Sequence, residues 1–158
     1  MTNDDALINT PFGAVAITFA GGLVIELQAV LPSGTIYISK ESGNPLVKSA
    51  CQQVVQYLLE AATAFSLPMD QHGTAFQQRV WQAIAAIPLG QTRTYSELAS
   101  QVGSGPRAVA NACGANNLPL LVPCHRVVAK NGLGGFMQGK QNGLRIKQWL
   151  LTHEGVEL

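Results

Sequence analysis

Residues 94–116 read TYSELASQVGSGPRAVANACGAN, and the order of residue types predicts two short helices joined by a tight turn. Thr94 followed three positions later by Glu97 is a capping box, in which each side chain satisfies a backbone N–H at a helix start. Leu98 and Ala99 continue that helix, and Gly103 ends it by taking up a backbone conformation that side chains disfavour. After Ser104 and Gly105, Pro106 brings the fixed φ suited to the first turn of a second helix, running from Arg107 to Ala115. Two short helices across a glycine turn form a helix-turn-helix, which contacts DNA in some folds and only packs in others. The second helix carries little bulk. Gly105, Ala108, Ala110, Ala112, Gly114 and Ala115 suit close approach either to a groove or to another helix.

Upstream, Thr74 and Gln77 form another capping box, followed by Phe76, Val80, Trp81, Ile84 and Ile87 at helical spacing and a stop at Pro88-Leu89-Gly90. Ser66 to Gly73, with Pro68, Asp70 and Gly73, reads as a linker. Before it, Ala14 to Phe19 and Leu23 to Leu27 flank Gly21-Gly22 as a hairpin, and Thr35 to Ser39 alternates as a third strand. From Pro45, the apolar positions Leu46, Ala50, Val54, Leu58 and Ala61 predict a helix ending near Leu67-Pro68. Downstream of the two-helix unit, Leu120 to Val122 and Val127 to Ala129 are apolar runs on either side of Pro123-Cys124-His125-Arg126. A last helix is expected over 142–153, burying Leu144, Trp149 and Leu150. The expected class is α+β, with a sheet-plus-helix domain over 1–72 and a mostly helical domain over 73–158.

The chain has 158 residues, 47% hydrophobic and only 12% charged, which gives ample material for a core and argues against disorder. No apolar run approaches the roughly 18 residues needed to span a bilayer, and Met1 to Asn9 carries two acids and no base, unlike a secretory signal. A cytoplasmic protein without a membrane partner is expected. Cys51, Cys113 and Cys124 make neither an even disulfide set nor a CxxC pair, as befits a reducing compartment. Charge is split by position. Residues 1–73 hold two lysines against six acids, net −4, whereas residues 74–158 hold eight basic residues against three acids, net +5. The second half is suited to a polyanion.

A thiol is a useful nucleophile only as thiolate, so it needs a base or positive potential nearby. Cys124 has His125 and Arg126 beside it, and Glu154 or His153 is available to orient the imidazole if the last helix packs over them. Adjacent side chains on a strand point oppositely, so the pair works only if the backbone turns, which Pro123 favours. Cys51 and Cys113 read as packing residues and His72 as part of the linker. Cys51 and His72 are too few for a closed tetrahedral site, so no metal is expected.

Pro123-Cys124-His125-Arg126-Val127 resembles the active-site signature of the O6-alkylguanine-DNA alkyltransferases, the methylated-DNA–protein-cysteine methyltransferases. The resemblance runs from Phe76 to Gly155 and includes Tyr95-Ser96-Glu97-Leu98-Ala99, Arg107-Ala108-Val109, Asn116 and Trp149 to Gly155. In the first half it rests chiefly on Pro11-Phe12-Gly13. It implies an RNase H-like sheet domain followed by a winged helix-turn-helix, acting as a monomer without cofactor or obligate protein partner. The partner it implies is double-stranded DNA containing O6-alkylguanine, with O4-alkylthymine left open. Cys124 would accept the alkyl group irreversibly, once per molecule, with His125 as base through a water and Glu154 holding it.

The same resemblance makes Tyr95 the donor to the ring nitrogen of the base and Asn116 the brace of the turn under the site. Arg107 becomes the finger that fills the gap left by an extruded nucleotide. Gly105 and Ala108 become DNA contacts, in a minor groove whose degenerate pattern suits scanning. Pro119, Val127, Phe136 and Met137 become the pocket. The chain departs from the family at Gly135-Phe136-Met137 and in the longer segment Gln138 to Asn142, which bear on the lid. Three other readings are weighed. A non-reactive lesion binder is opposed by Cys124 itself, a helix-turn-helix regulator by the lack of a second DNA-binding module, and a cysteine hydrolase by the lack of any oxyanion-hole pattern.

Overall fold

The computed structural model describes residues 6–136 and 143–158, so Met137 and the segment Gln138 to Asn142 lie outside the described residues. The chain divides into two compact units, Met1–Gln71 and His72–Leu158. Its class is mixed: one small antiparallel sheet and several helices.

In the first unit, β1 (Ala6–Thr10), β2 (Gly13–Phe19), β3 (Leu23–Gln28) and β4 (Tyr37–Lys40) form an antiparallel sheet in the order β3-β2-β1-β4. Period-two burial drives it. Ala6, Ile8 and Thr10 of β1 turn inward, as do Leu23, Ile25 and Leu27 of β3, and the registers Ile8↔Val15 and Ile17↔Ile25 stack them across strands. Gly21 and Gly22 close the β2–β3 hairpin at φ +72° and +150°, as the sequence predicts. The helix α1 (Pro45–Leu59) starts under Asn44, whose Oδ1 accepts from the N–H groups of Leu46 and Val47 at 2.9 and 3.3 Å. It buries Val47, Ala50, Cys51, Val54 and Leu58.

Two expectations need correction here. The strand β1 escaped the reading because Ala-Leu-Ile-Asn-Thr is only five residues long and sets apolar Leu7 and Ile8 side by side instead of alternating apolar with polar. The helix α1 stops at Leu59 rather than near Leu67, with Glu60 extended at φ −144°. The chain then returns along α1 without helical bonds. The side chain of Gln53 holds it there, accepting from the Ser66 N–H at 2.8 Å and donating to the Ser66 carbonyl at 3.2 Å.

In the second unit, α2 (Ala75–Ala85) begins with the expected capping box at Thr74 and Gln77 and buries Val80, Trp81 and Ile84. Two short helices follow, α3 (Tyr95–Val102), whose own box joins Thr94 and Glu97, and α4 (Pro106–Gly114). Gly103 separates them at φ +72°. The Trp81 indole donates to the Ala112 carbonyl at 2.8 Å, which pins α2 to α4. Two very short strands, β5 (Arg93–Thr94) and β6 (Val127–Val128), pair in parallel. They tie the start of α3 to the backbone just beyond Cys124.

The last helix, α5 (Gly143–His153), buries Ile146, Lys147, Leu150 and Leu151. The expected stripe was wrong in part. Leu144 is exposed, because positions 143, 146, 147, 150 and 151 define the inward face, and Trp149 is half-buried, stacked on His153 at 4.8 Å.

Candidate active site

The site is built on the non-helical stretch between α4 and β6. Asn116 opens it with an Asx turn, its Oδ1 accepting from the Leu118 N–H at 2.9 Å. The buried Leu120 sits at φ +77°, a left-handed conformation that costs a bulky residue on the order of 1–3 kcal/mol and is sustained by the packed Leu118, Leu121 and Val122 around it. Pro123, at φ −80° and ψ 68°, forms an inverse γ-turn in which the Cys124 N–H reaches the Val122 carbonyl at 2.8 Å. A single 3-10 turn, Cys124–Arg126, follows. Three residues per turn send successive side chains roughly 120° apart. The backbone thus turns where the sequence requires it, and the thiol and imidazole meet different partners.

The thiol side is polar. Asn116 Nδ2 donates to Cys124 Sγ at 3.2 Å and to the Val122 carbonyl at 2.9 Å. Cys124 Sγ lies 3.9 Å from the Cys113 carbonyl, so the second cysteine borders the sulfur. The neighbouring Cys113 thiol, with burial behind it, pushes the Cys124 thiol well above its ordinary range, against the pull of Asn116 and the Lys147 ammonium. Cys124 therefore rests as the thiol. Something must remove its proton before this sulfur can attack.

The imidazole side supplies a base. His125 is 1% exposed, and its Nε2 meets Glu154 Oε2 at 2.7 Å. Burial lowers the imidazole below its usual value, the adjacent carboxylate only partly opposing this, so the ring is neutral and Nε2–H is the donor. Nδ1, with no hydrogen-bond partner among the described residues, carries the basic lone pair. Arg126 holds Glu154 in turn, donating from Nε to Oε1 at 2.8 Å and from Nη2 to Oε2 at 3.2 Å, while its Nη1 donates to the Ile87 carbonyl at 2.8 Å. Glu154, not His153, orients the ring. Phe136 closes over it edge-on at 6.5 Å.

A second cluster borders the thiols. Tyr95, first residue of α3, donates from its hydroxyl to the Gly135 carbonyl at 3.4 Å, and its ring lies so close to Gly134 that a Cβ there would stand 2.9 Å from Cε2. Burial pushes this phenol up to about 12, so it remains a donor at neutral pH. Lys147 is wholly buried, with Nζ donating to the Val127 carbonyl at 2.6 Å and to that of Gly135 at 2.9 Å, 6.0 Å from the Tyr95 ring centroid. Desolvation brings it down to about 8, with Cys113 and Cys124 opposing.

Of the residues singled out from sequence, Cys124, Asn116, His125 and Glu154 are joined by these bonds, and Tyr95, Val127 and Phe136 border them. Pro119 is half-buried on the loop before Leu120. Gly105 caps α4, Arg107 is exposed on its first turn and Ala108 is half-buried. Met137 lies outside the described residues. The reading missed Lys147 and the proximity of Cys113. A lysine on the inward stripe of α5 was a usable signal for the first. The eleven-residue separation of the two cysteines offered none for the second. No group of three His, Cys, Asp or Glu among the described residues is arranged to hold a metal ion. None of their helices is long and apolar enough to cross a membrane.

Residues 75–156 match the family model described as the DNA-binding domain of 6-O-methylguanine DNA methyltransferase. A probable methylated-DNA–protein-cysteine methyltransferase of Acanthamoeba polyphaga mimivirus is 50% identical over 151 residues, covering 94% of both chains. The regulatory protein ada of Salmonella typhimurium is 42% identical over 134 residues, 84% of this chain but only 36% of that longer protein. Among solved structures, Mycobacterium tuberculosis OGT in complex with DNA superposes with a TM-score of 0.76 at 35% identity, covering 94% of this chain and 91% of that one.

Proposed function

This chain belongs to the methylated-DNA–protein-cysteine methyltransferase family, and from that premise we propose that it repairs DNA by direct reversal, moving an alkyl group from guanine O6 to Cys124. The observation that carries the reading is a buried cysteine one residue from a neutral, carboxylate-held imidazole whose Nδ1 lone pair is unclaimed among the described residues.

The step is a displacement at the alkyl carbon. His125 Nδ1 takes the Cys124 proton through a water, the sulfur forms the C–S bond, and the C–O bond breaks with its electron pair passing into the purine. Guanine must leave neutral, so charge building on the base is met by a proton donor, the role assigned to the Tyr95 hydroxyl on the ring nitrogen. Glu154 stabilises the imidazolium that forms. Asn116 donates to the sulfur as it gains charge, and Val127, Phe136, Pro119 and Met137 are assigned to the pocket. The thioether has no route back to thiol, so each molecule acts once. No cofactor is invoked.

The His72–Leu158 unit is assigned the DNA and the chemistry, and the preceding unit a supporting RNase H-like domain. With β5 and β6 at its side, α3-turn-α4 is read as a winged helix-turn-helix whose small face, from Gly105 through Ala108, enters the minor groove. Arg107 on that face fills the space of the extruded nucleotide, which offsets an unstacking cost of about a few kcal/mol. Work as a cytoplasmic monomer completes the proposal.

Incubation with a duplex holding O6-methylguanine should add the mass of one methylene to the Cys124 peptide, in a stoichiometric burst. Cys124→Ser should abolish the gain and keep DNA binding. Binding without any gain in mass by the unaltered protein would refute the transfer reading.

A further inference from the structure

We propose that Cys113 and Cys124 form a modification site: a hydroperoxide oxidises the pair to an intramolecular disulfide that masks Cys124 and that a dithiol reductant reopens. The geometry is local. Cys113 lies in the last turn of α4, half-buried, and Cys124 opens the 3-10 turn beyond the Asn116 loop, 6% exposed. Asn116 ties the two segments, holding Val122 and the Cys124 sulfur from one amide. Neither cysteine is in a disulfide, and the Cys124 sulfur lies 3.9 Å from the Cys113 carbonyl, which places the two residues side by side. Cys51, the remaining cysteine, is buried in the other unit on α1.

The pair is also divided in character. Cys113 is the more accessible member and Cys124 the buried one. A peroxide therefore meets Cys113 first. Its thiolate attacks the O–O bond, giving Cys113 sulfenic acid and releasing hydroxide. The Cys124 thiol then displaces the hydroxyl group, forming the S–S bond and water. Two thiols lose two protons and two electrons, and one hydrogen peroxide becomes two waters. Alkyl transfer plays no part in this step, so it stands or falls apart from the function proposed above.

The test uses the full-length protein, hydrogen peroxide at a small molar excess, and a thiol-blocking quench under denaturing conditions. The expected product has lost the mass of two hydrogens, yields a crosslinked Cys113–Cys124 peptide, keeps Cys51 blockable, and regains both thiols with dithiothreitol. Cys113→Ser should give no crosslink. There peroxide should carry Cys124 to a sulfinic acid, two oxygens heavier, that dithiothreitol does not reverse. A wild-type protein that instead gains oxygens on Cys124 while Cys113 stays blockable would overturn the proposal, as would a crosslink to Cys51. Because the decisive readout is made on the unaltered protein, a variant that failed to fold would not protect the idea.

Discussion

Glu154 meets His125 through a single 2.7 Å bond, and both side chains are almost wholly buried. A buried carboxylate is costly unless fully paired, and this one is also gripped by Arg126 at 2.8 Å. The arrangement fixes which imidazole nitrogen bears the proton.

Replacement Glu154→Gln keeps the shape and removes the charge that specifies the tautomer. It also leaves Arg126 facing a neutral amide. The single-turnover rate of methyl transfer should fall by about 10²-fold or more, and stability to urea should drop by about 3 kcal/mol, the scale of a broken buried pair. A variant that transfers at the wild-type rate would show that the imidazole needs no carboxylate.

The acid side of the pH profile follows from the same ring. An unfolded histidine takes its proton near 6.5, whereas burial holds His125 below that value in the folded protein. Just under 6.5, then, the unfolded chain binds more protons than the folded one, and stability falls as pH falls through that window, with no contribution from this group above it. Transfer should hold through that window and decline only at lower pH, below the folded imidazole's own value, as Nδ1 fills. Stopped-flow rates and urea midpoints measured from neutral pH downward check both. An acid limb centred above 6.5 would mean that the Glu154 attraction outweighs desolvation.

Much of this site was readable before any coordinates. Capping boxes at Thr74 and Thr94 are local, short-range chemistry, and they fix helix starts regardless of what packs against them. Pro123-Cys124-His125-Arg126 likewise carries its own turn. What sequence spacing does not convey is contact between segments far apart in the chain. The parallel pairing of Arg93 with Val127, the anchoring of Ser66 by Gln53 and the approach of the Cys124 sulfur to the Cys113 carbonyl all depend on how neighbouring elements pack. The end of α1 failed for the same reason, since Ala61 continues the apolar period although the backbone has already left the helix.

Arg107 gives a prediction that separates extrusion from chemistry. It is exposed on the first turn of α4, apart from the bonded cluster around Cys124. Arg107→Ala should slow repair of O6-methylguanine in duplex DNA by about 10-fold or more, since the cost of emptying the stack is no longer offset. Reaction with free O6-benzylguanine, which needs no extrusion, should be unchanged. Equal losses on both substrates would move Arg107 from the DNA to the pocket.

Lys147 supplies the last prediction, because its burial and its bonds pull in opposite directions. Its ammonium is paid for by two carbonyls, those of Val127 and Gly135, and the second also accepts from Tyr95. Lys147→Met removes a desolvated charge and keeps most of the volume, so the melting temperature at neutral pH should move little. The loop at Gly135 loses its anchor and the thiols lose their nearest cation, so alkyl transfer should slow by about 10-fold and alkylation of Cys124 by iodoacetamide should shift to higher pH. The linkage has a definite sign. Lys147 is lowered from 10.5 to about 8 in the folded protein, so between those values the unfolded chain binds the extra proton and wild-type stability gains with rising pH, by about 3 kcal/mol at most. Lys147→Met should lack that gain, and the difference between the two urea-stability curves should widen from pH 8 upward. Parallel curves would mean that Lys147 titrates as an ordinary surface lysine, contrary to its burial.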